Sequence, residues 1–424
     1  MIKKLALYGG PKLIKKEAKI YNSIRKEELA SAYDVVKSGT LSDFVGKAGQ
    51  NFLGGKKVRV FEKNIEKFFS VKYAITVNSW TSGLIAAIGS IDIEPGDEVL
   101  LPTWTMSACA MAILNWNAIP VFVDIEDKTF NIDPDLIENK ITKRTKAIIV
   151  VDIFGHPANY RKILKISKKY KLKVISDNAQ SMGTKYFKRY SGTLCDVGGF
   201  SLNCHKLINT GEGGVLVTNN KKIAKKLRLI RNHAESSLTY KSKKDLINMI
   251  GYNFRLGEIE SAIGIQQLKK LKKIILYRKI LAKKLIIKLK NLKGLRLPII
   301  KKQCSHSFYV FPLILDIKKI NLSRELICKA LLAEGVKIGF GYQNLHKLPI
   351  FTKKIAYGSK GFPWSINNKI KYDYTNQTFP VAEELHNKTF MHLPMYHYDY
   401  NENDIGAIGD AFQKVWSNLL KVKK

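Results

Sequence analysis

The sequence predicts an α/β protein with a mainly parallel seven-stranded sheet, helices on both faces, and a smaller C-terminal α+β domain. Between residues 72 and 218, short β-rich runs alternate with stretches of helical periodicity, which is typical of a parallel sheet covered by helices. After residue 300 the alternation is looser. The predicted strands are Tyr73–Val77, Glu98–Leu101, Pro120–Val123, Ala147–Val151, Lys173–Ser176, Gly199–Leu202 and Val215–Thr218. In such sheets ligands bind at the carboxyl ends of the strands.

Helical periodicity and glycine positions predict how the chain divides. Three helices lie between the predicted strands: Ser82–Ile91, Met106–Trp116 and Asn159–Tyr170. A long amphipathic helix follows, with a basic face over Lys269–Lys293 and an end near Gly294. We therefore expect a large domain over residues 1–260 that includes an N-terminal arm. The connecting helix and a small domain would occupy residues 261–424. Within the small domain we expect a strand at Phe308–Leu315 and helices at Ser323–Glu334 and Asp404–Leu419.

Composition indicates a globular protein that we expect in the cytoplasm. The 424 residues are 45% hydrophobic and 25% charged, and the sequence has no apolar run of the roughly 18 residues that span a bilayer. The apolar part of the N-terminus stops within a few residues at Gly9, so we expect no signal peptide. The five scattered cysteines favour reduced thiols, and neither they nor the eight histidines have metal-ligand spacing.

The formal net charge of +37 is the most unusual property of the composition. A nucleic-acid-binding protein is one interpretation of such a charge. However, the lysines are spread over almost the whole chain, and no basic helix with interleaved aromatic residues stands out. We favour compositional drift towards lysine and expect no nucleic-acid partner, although a positive field would attract anionic substrates.

The most informative segment runs from Asp196 to Gly214 and continues into the predicted strand Val215–Thr218. It places Lys206 between an apolar strand and a turn dense in glycine. A lysine fixed in direction and partly desolvated by such a turn is suited to Schiff-base chemistry.

Two further segments carry polar residues directly after predicted strands. The run Val174–Gln180 ends its apolar part at Asp177, and Gln180 follows three residues later. The run Val77–Leu84 places Thr81 and Ser82 where a helix begins, and helix N-termini bind phosphate through free backbone N–H groups.

These three segments resemble the DegT/DnrJ/StrS family of pyridoxal-phosphate (PLP) enzymes, which have the aspartate-aminotransferase fold, fold type I. The family signatures are a lysine followed by Gly-Glu-Gly-Gly, the motif E-D-A-A-Q, and S-S-G-T-A-A-L. The run from Phe379 to Met395 also resembles the family's P-x-A-E-x-L…L-S-L-P signature, so the resemblance covers nearly the whole chain.

The resemblance implies roles for the residues around the PLP ring. Lys206 would hold PLP as a Schiff base and then act as general base and acid. Asp177 would pair with the ring nitrogen and keep it protonated, which makes the ring an electron sink. Gln180 would approach the 3-hydroxyl side of the ring.

The phosphate of the cofactor would be held by a second set of residues. Thr81, Ser82 and Ser201 match family positions near the phosphate, with Asn203 close by. Trp80 stands where the family has a small residue, which suggests a bulkier and more closed cofactor mouth.

Two more expectations depend on register against the family. Met106 occupies the position of the aromatic residue that stacks on the ring, and Trp104 takes that place if the register slips. Asn253 and Arg255 match a segment that reaches into the neighbouring subunit's site, which implies a homodimer with composite active sites.

The resemblance implies an aminotransferase that moves an amino group from glutamate or glutamine to a nucleotide-linked keto sugar, for amino-sugar or surface-polysaccharide biosynthesis. A PLP-dependent nucleotide-sugar 3-dehydratase and a cyclitol aminotransferase remain alternatives from the same family. Dehydratases replace the lysine by histidine, and here the register places Lys206, not His205, at that position. A basic nucleic-acid-binding or regulatory protein with an inactive fold is the alternative from another class.

Overall fold

The computed structural model describes residues 4–47, 49–235, 248–366 and 372–419. These residues form twelve strands: β1 Tyr73–Val77, β2 Glu98–Pro102, β3 Ile119–Val123, β4 Thr145–Val151, β5 Lys173–Asp177, β6 Lys185–Tyr186, β7 Arg189–Tyr190, β8 Val197–Ser201, β9 Gly214–Thr218, β10 Leu295–Arg296, β11 Phe311–Leu315 and β12 Phe390–Leu393. Seven of them form one sheet in the order β1-β9-β8-β5-β4-β2-β3. Strand β9 runs antiparallel to both of its neighbours, and the other four pairings are parallel. The predicted mainly parallel seven-stranded sheet is confirmed.

The described residues also form thirteen α-helices, some of a single turn. They are α1 Lys26–Ser38, α2 Lys56–Phe69, α3 Trp80–Ser90, α4 Ala108–Asn115, α5 Pro134–Ile137, α6 Tyr160–Tyr170, α7 Lys221–Arg231, α8 Glu258–Leu289, α9 Ile317–Ile320, α10 Arg324–Ala333, α11 Pro349–Thr352, α12 Pro380–Glu384 and α13 Glu402–Trp416.

Alternate residues of the sheet enter different hydrophobic clusters, so both faces of the sheet are covered. On β4, Ile149 packs in the cluster that contains α3, α4 and α7. Its neighbours Ile148 and Val150 pack in the cluster that contains α6. Burial on both faces explains why these strands are continuous apolar runs instead of alternating ones.

The ends of several elements differ from the sequence prediction for local reasons. Helix α3 begins at Trp80, two residues early, because the Ser79 side chain accepts a hydrogen bond from Ser82 N and caps the helix. Strand β11 begins at Phe311 and not at Phe308, because Phe308 has a φ of 51°, which breaks an extended backbone.

A second, smaller sheet contains β10, β11 and β12 and packs with α10, α13 and the C-terminal half of α8. The predicted boundary at residue 260 falls in the first turn of α8, which runs 32 residues and contributes to the cores around both sheets. This helix joins the two sheets through a continuous backbone.

Two features of the sequence can be compared with the described ranges. No helix within them is long and apolar enough to cross a membrane. The five cysteines are free, and Cys109 and Cys328 are buried.

Candidate active site

A cavity of about 320 Å³ lies at the carboxyl ends of β5 and β8 and at the N-terminus of α3. This is the edge where an open α/β sheet binds its ligands. Most residues predicted for the site share its wall. The lining residues are Ser79, Trp80, Thr81, Thr105, Met106, Ala108, Val151, Asp177, Ala179, Gln180, Ser201, Asn203, His205, Lys206, Glu212, Tyr309 and Tyr342.

Lys206 lies on the turn between β8 and β9, and its amine points into the cavity. The backbone N–H of Lys206 donates to the Asn203 carbonyl over 2.9 Å, and Gly211 has a φ of 86°, a conformation that favours glycine. Lys206 Nζ is 3.5 Å from Tyr309 Oη. Burial lowers the pKa of Lys206, and the charge of Asp177 opposes that shift. A lowered pKa raises the fraction of the free amine that Schiff-base formation requires.

Asp177 is the last residue of β5 and is 4% exposed. Its Oδ1 accepts hydrogen bonds from Trp80 Nε1 (2.7 Å) and from the Ala179 backbone N–H (3.0 Å). Cys109 Sγ donates to Oδ2 over 3.2 Å. Burial raises the pKa of Asp177, whereas these three donors and the charge of Lys206 act to lower it. The carboxylate is thus held in one orientation, with Lys206 as its charged neighbour.

Trp80 has a different role from the one that its size suggested. A Cβ atom at position 199 would lie 2.1 Å from Trp80 Cζ3, and one at position 83 would lie 2.7 Å from Trp80 Cε3. The indole therefore fills a slot that Gly83 and Gly199 leave open, and it is 6% exposed. The expectation of a mouth closed by Trp80 is wrong, because most of the ring is buried beside the sheet and its N–H supports Asp177.

The N-terminus of α3 brings hydroxyl groups to one end of the cavity. Ser79 and Thr81 line it, together with Ser201 from the end of β8. Ser82 is 9% exposed and does not line the cavity. Its Oγ lies 2.9 Å from Ser79 Oγ, and its backbone N–H is capped by Ser79. The geometry favours Ser79, which sequence reasoning missed, over Ser82 as the second hydroxyl beside Thr81.

Gln180, in the wall of the cavity, is fixed by two hydrogen bonds. Its Oε1 accepts from the Phe154 backbone N–H (2.7 Å), and its Nε2 donates to Tyr342 Oη (2.5 Å). Tyr342 lies in the segment from Gly341 to His346. Sequence reasoning had no signal for Tyr309 or Cys109, because a tyrosine before a strand and a cysteine in a helix are ordinary core residues.

The residues predicted by register against the family lie in different environments. Met106 lines the cavity and is 53% exposed. Trp104 is fully buried and packs edge-on against Phe390, so stacking by Trp104 is excluded. Asn253 is exposed and outside the cavity wall, although its carbonyl accepts a hydrogen bond from Asn78 Nδ2 (3.3 Å), next to the start of α3. Arg255 Nη2 donates a hydrogen bond to Asn232 Oδ1, and the two atoms are 2.6 Å apart.

The residues of this cavity meet three requirements for binding PLP. The cavity holds an amine with a lowered pKa, a buried carboxylate in reach of that amine's charge, and a helix N-terminus with hydroxyl groups. A buried acid whose pKa is raised by burial gains from a cationic ring nitrogen, and a helix N-terminus favours a phosphate. Such a site at this edge of a mainly parallel sheet defines a PLP-dependent enzyme of fold type I.

Comparison with known proteins identifies the family. Residues 40–413 match the model of the DegT/DnrJ/EryC1/StrS aminotransferase family, and the chain belongs to this PLP-dependent family as an aminotransferase.

Similar proteins support this membership over most of the chain. The spore coat polysaccharide biosynthesis protein SpsC of Bacillus subtilis is 31% identical, with 81% of this chain and 87% of SpsC covered. The GDP-perosamine synthase of Caulobacter vibrioides is 32% identical, with 70% and 78% covered. The structure of Helicobacter pylori PseC, an aminotransferase involved in the biosynthesis of pseudoaminic acid, is 25% identical. It superimposes with a TM-score of 0.78 over 95% of this chain and 100% of PseC.

Proposed function

We propose that the protein transfers an amino group from glutamate or glutamine to a nucleotide-linked keto sugar. The observation that carries this proposal is the placement of the Lys206 amine and the buried Asp177 carboxylate in one cavity. A GDP-perosamine synthase and a spore coat polysaccharide protein among the relatives support a nucleotide-sugar substrate and a role in polysaccharide biosynthesis.

The residues at the centre of the cavity have different chemical roles. Bound PLP supplies an electron sink. Lys206 would hold the cofactor, and its amine would move a proton to and from the α-carbon of the donor. Asp177, oriented by Trp80 and Cys109, keeps the ring nitrogen protonated.

The residues around the centre bind and orient the cofactor. Ser79, Thr81 and Ser201 would hold its phosphate, with Ser82 acting through Ser79. Gln180 and Met106 would contact its ring. Each of these contacts positions the cofactor and leaves the proton transfers to Lys206.

A homodimer completes the site in this proposal. Asn253 is exposed, and by resemblance to the family it would reach the phosphate bound by a second copy of the chain. We further propose a cytoplasmic location, in keeping with five free thiols, and a division into domains at residue 260.

Covalent attachment and turnover test the proposal together. The purified protein should be yellow, and borohydride reduction should fix PLP to the peptide that contains Lys206. Lys206→Ala should lose this adduct and all amination, because no other amine lines the described cavity wall. Lys283→Ala, which removes an exposed lysine of α8, is the matched control and should keep both.

A panel of nucleotide-linked keto sugars with glutamate then identifies the reaction. An aminotransferase consumes one glutamate for each sugar aminated, which the mass of the product reports. Loss of a sugar hydroxyl without amination would instead establish the dehydratase. Retention of the PLP adduct and of amination in Lys206→Ala would overturn the assignment.

A further inference from the structure

Tyr309 is the polar side chain in direct contact with the Lys206 amine. Lys206 Nζ donates a hydrogen bond to Tyr309 Oη over 3.5 Å and lies 4.8 Å from the centre of the Tyr309 ring. Within the described residues, Nζ has no other hydrogen-bond acceptor and forms no ion pair. Burial lowers the pKa of this amine, and Asp177, Cys204 and Glu212 oppose that shift through their charges alone. The free amine is therefore held in place by Tyr309.

The backbone around Tyr309 fixes the position of its ring. The N–H of Tyr309 donates to the Phe154 carbonyl over 3.1 Å, and the N–H of Ser307 donates to the Gly155 carbonyl over 3.0 Å. Phe154 has a φ of 59° and Phe308 a φ of 51°, a left-handed conformation that residues with side chains rarely adopt. Such strain persists only where the surrounding structure holds it, and it is found preferentially at functional sites. The loop that carries Tyr309 is thus clamped beside the cavity.

The hydroxyl of Tyr309 is neutral and can accept a hydrogen bond from a cation. Burial raises the pKa of Tyr309, so the hydroxyl keeps its proton at neutral pH. The side chain is 6% exposed, and its ring stacks on Tyr396 with 4.8 Å between the ring centres. The face of an aromatic ring and a phenol oxygen both attract an ammonium group. Tyr309 can therefore stabilise a charged Lys206 without adding a permanent charge to the cavity.

The charges of the reaction require such a partner. In the proposed function, on which this inference rests, Asp177 pairs with the ring nitrogen of PLP. When the Lys206 amine takes a proton from the α-carbon of the donor, the C–H bond breaks and an N–H bond forms. The electron pair of the C–H bond passes to the electron sink that PLP supplies. Lys206 is then an ammonium in a buried site whose carboxylate is already engaged, and a buried charge without a partner is costly.

We propose that Tyr309 is a further catalytic residue, whose hydroxyl and ring face hold the Lys206 ammonium that forms during proton transfer. Tyr309 keeps its own proton throughout and serves only as the acceptor. It also keeps Nζ pointing in one direction between the uptake of the proton and its release.

The PLP-free enzyme gives the first test, because it reports on the Lys206 amine without turnover. Labelling with acetic anhydride across a range of pH, followed by peptide mass spectrometry, gives the acetylation profile of Lys206. Tyr309→Phe removes only the hydroxyl, so the ammonium loses a hydrogen bond and the profile should move to lower pH. At neutral pH, acetylation should become about threefold to tenfold faster. An unchanged profile would overturn the proposal.

Tyr396→Phe is the matched control for this experiment. It removes a hydroxyl from the ring that stacks on Tyr309, and Lys206 Nζ makes no hydrogen bond to that hydroxyl. Lys206 should therefore keep the wild-type profile in Tyr396→Phe. Equal shifts in the two variants would show that the packing of the two rings, and not the Tyr309 hydroxyl, controls the amine, which overturns the proposal.

The half-reaction of the PLP-loaded enzyme with glutamate tests the catalytic consequence. In Tyr309→Phe, the single-turnover rate at saturating glutamate should fall about tenfold to a hundredfold, because the hydrogen bond to the ammonium is lost. The glutamate concentration that gives half of the maximal rate should change little, since the hydroxyl acts on the amine and not on the donor. A higher half-saturating concentration at an unchanged rate would assign Tyr309 to donor binding and overturn the proposal.

Glutamate deuterated at the α-carbon separates a role in proton transfer from a structural one. Deuteration should slow Tyr309→Phe by at least as large a factor as it slows the wild type, because proton transfer is the step that the variant impairs. A slower reaction with a smaller isotope effect would place the defect in another step and overturn the proposal. If the wild type completes the half-reaction and Tyr309→Phe matches it, the inference fails while the aminotransferase assignment stands.

Discussion

The two cavities bury a cation in different ways. In the smaller cavity Lys206 faces Asp177, a carboxylate fixed by an indole, a thiol and a backbone N–H, so the protein supplies the counter-charge. In a second and larger cavity, between residues 21–27, helix α8 and residues 395–400, Arg278 is 4% exposed and has no hydrogen-bonded anion within the described residues. A third nitrogen base, His392, is buried in the small sheet and stays neutral, because burial lowers its pKa to about 4.

The two buried cations differ in whether they can take part in proton transfer. A lysine with a built-in carboxylate can exchange protons and still remain compensated when no ligand is bound. An arginine keeps its charge in any protein environment, so it cannot exchange protons in this way. The same reasoning ranks the following predictions by the size of the expected effect.

The largest effect is expected from Asp177→Asn, which makes the Lys206 site resemble the Arg278 site by removing its counter-charge. Asparagine carries no charge that would keep the ring nitrogen of bound PLP protonated, so kcat/KM for amination should fall roughly a thousandfold, which is about 4 kcal/mol. Steady-state kinetics at saturating PLP measure this effect. Asp399→Asn, which changes an exposed carboxylate of the other cavity, is the control and should keep the half-reaction with glutamate intact.

We expect acid to destabilise the folded protein through His392, because this side chain is buried in its neutral form. The unfolded chain binds a proton at a histidine below pH 6.5, whereas folded His392 does so only near pH 4, so the free energy of unfolding should fall across this window. The expected loss is about 3 kcal/mol for this residue. In urea titrations from pH 7 to pH 4, His392→Gln should show a shallower decline than wild type. The exposed histidine variant His205→Gln should follow the wild type, and a parallel decline in all three would contradict the account.

A smaller effect is expected when one hydrogen bond to Asp177 is removed and the charge of Asp177 is kept. Trp80→Phe removes the indole N–H that donates to Asp177 Oδ1 but keeps an aromatic ring in the slot beside Gly199. A lost hydrogen bond to a charged group should lower PLP affinity by about tenfold, measured by absorbance titration of the apoenzyme. Trp116→Phe, whose N–H donates to the Ile85 carbonyl away from the site, is the matched control. Equal losses in both variants would mean that general packing, not the Asp177 contact, is responsible.

The smallest effect is expected at the wall of the Lys206 cavity, where no charge is involved. Met106 is half exposed, so its contact with a bound ring is confined to a thioether against an aromatic face. Met106→Ala should weaken PLP binding by about threefold. A loss of a hundredfold would show that Met106 is central to holding the ring and that the charge-based ranking is incomplete.

Much of the site could be predicted because its residues follow strands. Asp177 ends β5 and Lys206 follows β8, and the ends of parallel strands meet at one edge whatever the loops do. Ser82 was predicted for the site because it stands at the start of a helix, and only the cap geometry shows that Ser79 lines the cavity in its place. Trp104 could not be separated from Met106 by register alone, since its burial depends on Phe390, nearly three hundred residues later.

The alternation of strands and helices, the lysine turn and the acid at a strand end could be predicted from local pattern, because they depend on residues close in the chain. Which partners those residues have depends on the folded chain. The Trp80 slot requires Gly199 from another strand, and the larger cavity joins segments about 250 and 120 residues apart around Arg278. Hydrogen bonds and buried charges between distant segments leave no periodic signal in a sequence, so the contrast between Lys206 and Arg278 became visible only when the chain was folded.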